Sequence, residues 1–182
     1  MLSDAAMRQR MENGWIAGKP ETVCGNGSMM ANTANIRRWL PEIALKYDLR
    51  TINDAGAGDL NWIKKVKWPW MVDYRAFDLI PRIASVSKAD ITVDVLPKAD
   101  AILCRMVLNH LLDDVMDESR IDMALDRFKE SARYLIATHY VGDLIQRTPQ
   151  FSRLDLTARL GDPLDSVQDG HEDNCRLALW KL

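Results

Sequence analysis

The chain has 182 residues, with 24 Lys and Arg against 26 Asp and Glu, for a formal net charge of −2; that is one domain of ordinary size with room for a core, and it carries no electrostatic footprint for nucleic acid. Three cysteines, Cys24, Cys104 and Cys175, are odd in number and widely spaced, which excludes a C-x-x-C zinc pattern and reads as reduced thiols of a cytoplasmic protein. The first residues lack an apolar signal core and no apolar run is long enough for a bilayer, so no membrane partner is expected.

Residues 1–24 have little apolar periodicity. Met7, Met11 and Trp15 make one stripe interrupted by Gly14 and Gly18, the pattern of an arm, and Lys19-Pro20-Glu21 is a turn. Gly25 to Ser28 reads as loop. A helix is predicted from about Ala31 to Tyr47, with Ile36, Leu40, Ile43, Ala44 and Tyr47 on one face and a kink or break at Pro41. A β-favouring run, Arg50-Thr51-Ile52-Asn53, then ends in Asp54. Gly56 and Gly58 follow, and Leu60, Ile63 and Val66 have helical spacing after them. Lys64 to Trp70 closes this first crossover, its aromatic residues packing on the sheet or, as the less favoured alternative, forming a surface patch.

The second strand, Tyr74 to Phe77, ends in Asp78. About two helical turns over Pro81 to Val86 and a short third strand fill the space before Asp90. The fourth strand is Ala101 to Arg105. An amphipathic stretch follows, with Val107, Leu108, Leu111, Leu112, Val115 and Met116 as its apolar residues. A helix capped by Ser119, with Asp122 three residues on, buries Ile121, Leu125, Phe128 and Ala132. Tyr134 to Ala137 is the fifth strand, with Thr138-His139-Tyr140 at its carboxyl end. Arg176 to Leu182 is the last strand. No repeat or low-complexity segment occurs.

Strand, glycine turn and helix in succession make a nucleotide-type site: glycine admits positive φ and close approach, and the first helical N–H groups face the ligand. A dinucleotide asks for G-x-G-x-x-G, and Asn61 stands where the third glycine would be. Asp54 and Asp59 flank the turn and would repel a pyrophosphate. They suit a ligand with an ammonium and a sulfonium, which favours S-adenosylmethionine over NAD. Asp78 lies twenty residues past Gly58, the spacing at which an acid on the next strand reaches ribose hydroxyls. The bland alternative is a glycine-rich turn that binds nothing.

Together these residues resemble the motifs of the class I S-adenosylmethionine-dependent methyltransferases, from about Gly25 to Leu182. The resemblance is closest to a short branch with a lead-in like Gly25-Asn-Gly-Ser-Met-Met-Ala-Asn-Thr33, a D-x-x-x-G-D-x-N-W turn (Asp54 to Trp62), Asp78-Leu-Ile-Pro81, and Cys104-Arg-Met-Val-Leu-Asn-His-Leu111. Met106 departs from that pattern, standing where an acid is expected. The resemblance implies an α/β, Rossmann-like fold: a mostly parallel central sheet, helices on both faces and an antiparallel C-terminal edge hairpin. It implies one domain over 25–182, which leaves 1–24 as the mobile or clamp-like arm that its weak periodicity suggests. The glycine turn, Asp78, Asp90, Cys104-Arg105 and Thr138-His139-Tyr140 would converge at the carboxyl ends of the strands.

In that reading Asp54 holds the methionine ammonium with Asp59 beside it, and Gly56 and Gly58 admit the cofactor. Asp78 takes the ribose, Asp90 the adenine amino group, and Leu79 and Ile91 sandwich the ring. Cys104 and Arg105 lie at the cofactor's edge. Arg105 either binds an acidic substrate or pairs with an Asp. Asn26, Ser28 and Asn32 either cap the following helix or close over the cofactor as a segment that orders when it binds. His110, His139 and Tyr140 are the candidate catalytic residues, and His171, in a polar loop, is solvated. No metal is expected, because the acids do not cluster. The acceptor is a small molecule, methylated on O or N, and sugar-like acceptors are included. A nucleic-acid methyltransferase is disfavoured, since Cys-Arg-Met-Val stands where base-amino enzymes carry [N/D]-P-P-[Y/F/W]. A fold that binds the cofactor without catalysis is the third possibility. The oligomeric state is left open.

Overall fold

The structure is a computed structural model that describes residues 21–111, 118–142, 147–148, 151–170 and 173–182. The proposed arm, most of the amphipathic stretch around Leu112, Val115 and Met116, and His171 lie outside the described residues. A seven-stranded sheet organises the chain: β1 (Thr51–Ala55), β2 (Asp73–Asp78), β3 (Val86–Lys88), β4 (Ala99–Cys104), β5 (Ala132–Tyr140), β8 (Asp165–Gln168) and β9 (Cys175–Lys181). The strand order is β3-β2-β1-β4-β5-β9-β8. The first five run parallel, and β9 and β8 complete the edge antiparallel. Two short strands, β6 (Arg147–Thr148) and β7 (Phe151–Ser152), pair apart from this sheet.

Helix α1 (Ala34–Lys46) covers one face. Ile36, Trp39, Leu40, Ile43 and Ala44 are its buried stripe, the spacing that the sequence shows. Pro41 lies within the helix without ending it. Helix α2 (Ser119–Ser131) covers the other face through Ile121, Ala124, Leu125 and Phe128. Ser119 is the first helical residue rather than the cap; Glu118 holds the cap position with no side-chain cap bond. The core is accordingly double: Ile36, Leu40, Ile52, Leu103, Ile136 and Leu179 on the α1 side, and Ile102, Leu125, Phe128, Leu135 and Trp180 on the α2 side. Successive residues of β4 and β5 divide between the two, as strands buried on both faces require. A short helix, α3 (Thr157–Leu160), lies in the tail.

Three predicted elements differ. The helix after the glycine turn is only a 3₁₀ turn, Ile63–Lys65. Gly58 and Leu60 both take left-handed φ, +60° and 58°, which a right-handed helix cannot include. Leu60, Trp62, Ile63 and Val66 are buried all the same, so the apolar spacing records burial rather than helix. The two turns predicted over Pro81 to Val86 are absent; Val86 already begins β3, and the parallel β2–β3 pair is joined by residues 79–85 with no helix. After β4 a 3₁₀ turn, Leu108–His110, replaces the start of the amphipathic helix. In the Lys64–Trp70 connector, Trp68 stacks on Tyr74 at 5.9 Å between ring centroids, whereas Trp70 is 97% exposed.

Candidate functional site

A cavity of about 560 Å³ opens at the carboxyl ends of β1, β2, β4 and β5, the end at which ligands bind in open α/β sheets. Its β1 side is the glycine turn. Gly56 has φ +94°, and a Cβ there would come within 2.2 Å of Val107 Cγ2. A Cβ on Gly58 would come within 2.6 Å of Cys24 Sγ. These two glycines are therefore required by conformation and by close packing of the loops around the cavity.

Asp54 lines the cavity and is 4% exposed. Burial pushes its carboxyl up to about 7, the Tyr74 hydroxyl that donates to Oδ2 holds it down, nearby Asp78 raises it and Arg105 lowers it. Tyr74 is a diagonal neighbour on β2, since Asp54 pairs with Ala76 in the ladder. Asp78 bridges the next strand to the turn: Oδ2 accepts from Gly58 N at 2.8 Å and Oδ1 from Ile80 N at 2.9 Å. Asp90 accepts through Oδ1 from Thr92 N and Oγ1, an Asx turn after β3. Leu79 and Ile91 line the same part of the cavity. Asn32 also lines it, donating through Nδ2 to the Asn26 carbonyl.

Asp59 lines the cavity, but its carboxylate is engaged by the chain. Oδ2 accepts from Thr22 Oγ1 at 2.7 Å and Val23 N at 3.1 Å, and Oδ1 accepts from Asn61 N. Arg105 lines the cavity and is paired with an Asp: Nε and Nη2 both bond Asp169, with Nη2 to Oδ1 at 2.8 Å. The two side chains are 3% and 0% exposed. Nη2 also donates to the Gly27 carbonyl at 2.8 Å, and the guanidinium lies 5.1 Å from the Trp62 ring centroid.

Two of the expected site residues lie outside the cavity lining. Cys104 is not among the residues that line the cavity; its thiol is buried in the α2-side core, where burial raises its pKa. His139 does not line it either. Strand alternation turns His139 away from Tyr140, and its Nδ1 accepts from Leu156 N at 3.2 Å while its ring meets Trp180 edge-on. Burial lowers its pKa, and the neutral ring is the form that can accept that N–H. The Asp155 carboxylate 3.6 Å away is then a neighbour rather than an ion-pair partner.

His110 and Tyr140 do line the cavity, at the β4–β5 end. Met106 sits between these elements with φ 56°, an outlier for a long side chain. Its N–H is held by Thr138 Oγ1 at 2.8 Å, and its sulfur accepts from the Tyr140 hydroxyl at 3.9 Å and Asn109 Nδ2 at 3.7 Å. Asp169, Met106, Trp62 and Cys24 were not anticipated as parts of this cavity. Asp169 arrives 64 residues from its partner Arg105, and no local pattern marks it. Tyr74 does have a signal, a polar group on β2 close in register to an acid on β1. Among the described residues, no group of three or more His, Cys, Asp or Glu could hold a metal ion, and no helix is long and apolar enough to cross a membrane.

The mostly parallel seven-stranded sheet, its antiparallel C-terminal hairpin and its flanking helices match the Rossmann-like fold of solved S-adenosylmethionine-dependent methyltransferases. Among similar solved structures is the Burkholderia thailandensis 1,6-didemethyltoxoflavin-N1-methyltransferase, solved with that compound and S-adenosylhomocysteine, at TM-score 0.60 and 14% identity over 97% of this chain and 85% of that one. The N-terminal domain of EvdMO1, solved in the presence of S-adenosylhomocysteine and D-fucose, gives 0.56 and 13% over 100% and 97%. A methyltransferase from Clostridium acetobutylicum gives 0.56 and 13% over 80% and 90%. No family model matches the sequence, and no curated protein matches it either.

Proposed function

We propose that the protein is an S-adenosylmethionine-dependent methyltransferase acting on an oxygen or nitrogen of a small-molecule acceptor. The observation that carries this reading is Asp54, a carboxyl group 4% exposed beside the glycine turn and pushed up to about 7. A buried acid of this kind is costly to ionise unless a cation is brought to it. An ammonium meets that need and a pyrophosphate does not, so the residues present fit the cofactor. Asp54 would hold its ammonium, Asp78 its ribose hydroxyls and Asp90 its adenine amino group, with Leu79 and Ile91 against the ring. Bound there, S-adenosylmethionine supplies a methyl carbon already activated for displacement.

The chain's own part is to align the acceptor, exclude water and receive a proton. His110 is the candidate base at the acceptor end of the cavity. Tyr140, tied to the Met106 sulfur, shapes the wall beside it. The small-molecule reading is supported by the two similar structures solved with 1,6-didemethyltoxoflavin and with D-fucose. One observation favours a second reading, cofactor binding without transfer: a thioether rather than a carboxylate follows β4.

The deciding experiment is transfer of labelled methyl from S-adenosylmethionine into fractionated small-molecule pools. Incorporation that disappears in Asp78→Ala supports the enzyme. S-adenosylhomocysteine binding with no incorporation in any pool supports the second reading, and absence of binding refutes both.

A further inference from the structure

We propose that Asp59 and Asn61 are positioning residues that fasten the segment 21–28 across the cavity, and thereby set how fast a ligand enters and leaves it. The proposal rests on the cavity being the cofactor site, and one arm of its test is independent of that reading.

The D-x-N of the glycine turn offers a carboxylate and an amide, and both are used by the preceding segment. Asp59 Oδ2 accepts from the Thr22 hydroxyl at 2.7 Å and from Val23 N at 3.1 Å. Thr22 Oγ1 in turn accepts from Cys24 N at 3.1 Å, so one carboxylate orders three consecutive residues. Asn61 Nδ2 donates to the Ser28 carbonyl at 2.9 Å and to Glu21 Oε1 at 3.1 Å, so it grips both ends of the segment. Glu21 Oε1 also accepts from Met30 N. The Asp59 oxygens that sequence reasoning assigned to a cationic ligand are thus occupied by the chain's own donors.

The far side is fastened separately. Arg105, clamped by Asp169, donates to the Gly27 carbonyl at 2.8 Å. Cys24 Sγ fills the space above Gly58, where a Cβ would come within 2.6 Å. Between these anchors, Cys24 to Ser28 form part of the cavity wall. The segment therefore runs along the cavity wall from the β1 turn to the end of β4, and in this proposal it is the part of the wall that a ligand displaces on entry and exit. Thr22, 4% exposed, does not line the cavity. This separates two roles for Asp59, because a ligand contact would not run through Thr22.

The test uses Thr22→Val and Asp59→Asn in the full chain, with S-adenosylhomocysteine as the probe and stopped-flow tryptophan fluorescence as the readout. Removing one hydrogen bond of the fastening is expected to raise both the association and the dissociation rate about three- to tenfold, with the dissociation constant moving less than either. A general loss of stability would not raise the association rate. If Thr22→Val keeps wild-type rates while Asp59→Asn raises dissociation alone, Asp59 is a direct ligand and the proposal fails. Hydrogen exchange without any ligand provides the independent arm: the Val23 and Cys24 amides should exchange faster in Thr22→Val. Unchanged protection there overturns the fastening even if S-adenosylhomocysteine binds. Failure of the wild-type protein to bind S-adenosylhomocysteine, together with faster exchange in Thr22→Val, refutes the cofactor assignment and leaves the fastening standing.

Discussion

In the proposed function, Asp54 makes cofactor binding a proton-linked event. Its carboxyl titrates at about 7 in the ligand-free fold, faced by the Tyr74 hydroxyl, the Asp78 carboxylate and the Arg105 guanidinium. A ligand ammonium pairs with the ionised form, so binding below that pH must first release the proton. At about pH 5.5 only ~3% of Asp54 is ionised, against ~75% at about pH 7.5 where the ammonium is still protonated. Affinity for S-adenosylhomocysteine should therefore be about twenty- to thirtyfold weaker at the lower pH, a difference of roughly 2 kcal/mol. Isothermal titration in two buffers of different ionisation enthalpy should count close to one proton released at the acid end and few at the neutral end. Asp54→Asn should bind weakly and with little pH dependence. The ligand-free fold carries the opposite linkage. With the folded pKa raised from 3.8, the native state holds the proton longer than the unfolded chain, and this group's contribution to stability falls as pH rises from about 4 to about 7. Affinity that is flat from acid to neutral pH, or that improves in acid, would refute the pairing of Asp54 with a cation.

Asp78→Ala removes a charged acceptor and should lower S-adenosylhomocysteine affinity about ten- to a hundredfold by calorimetry, from roughly 1.5–3 kcal/mol of lost hydrogen bonding; wild-type affinity would remove Asp78 from the site. Gly56→Ala must hold an L residue at φ +94° with its Cβ 2.2 Å from Val107 Cγ2, and should cost about 2–4 kcal/mol in urea unfolding from strain and overpacking together. Arg105→Met leaves Asp169 buried without its partner and should cost about 3–5 kcal/mol, while the double variant Arg105→Met with Asp169→Leu should recover most of that loss. Equal stability of the single and double variants would show that the ion pair is not what holds these loops.

The glycine turn, the acids that end β1 and β2, the acid after β3 and the faces of α1 and α2 were all legible in the sequence, because each is local. A strand end, a turn and an amphipathic stripe are written in residues a few positions apart, and the antiparallel edge followed from resemblance to a known fold. Local spacing misled where backbone conformation overrode it: Leu60, Ile63 and Val66 recur like a helix, yet left-handed Gly58 and Leu60 leave a 3₁₀ turn. Cys104 and His139 sit at the correct strand ends, but side chains on a strand alternate between faces, and a shift of one residue decides whether a group meets the cavity or the core. Only the tertiary structure decided the partners of the charged groups. Arg105 found Asp169 on the β8–β9 turn, and Asp59 found Thr22 and Val23 on the segment before the domain's first helix. Such pairings join residues 36 to 64 positions apart; for Arg105 and Asp169 folding removes both groups from water, and a buried charge must then be met by whatever donor or acceptor the packing brings within reach.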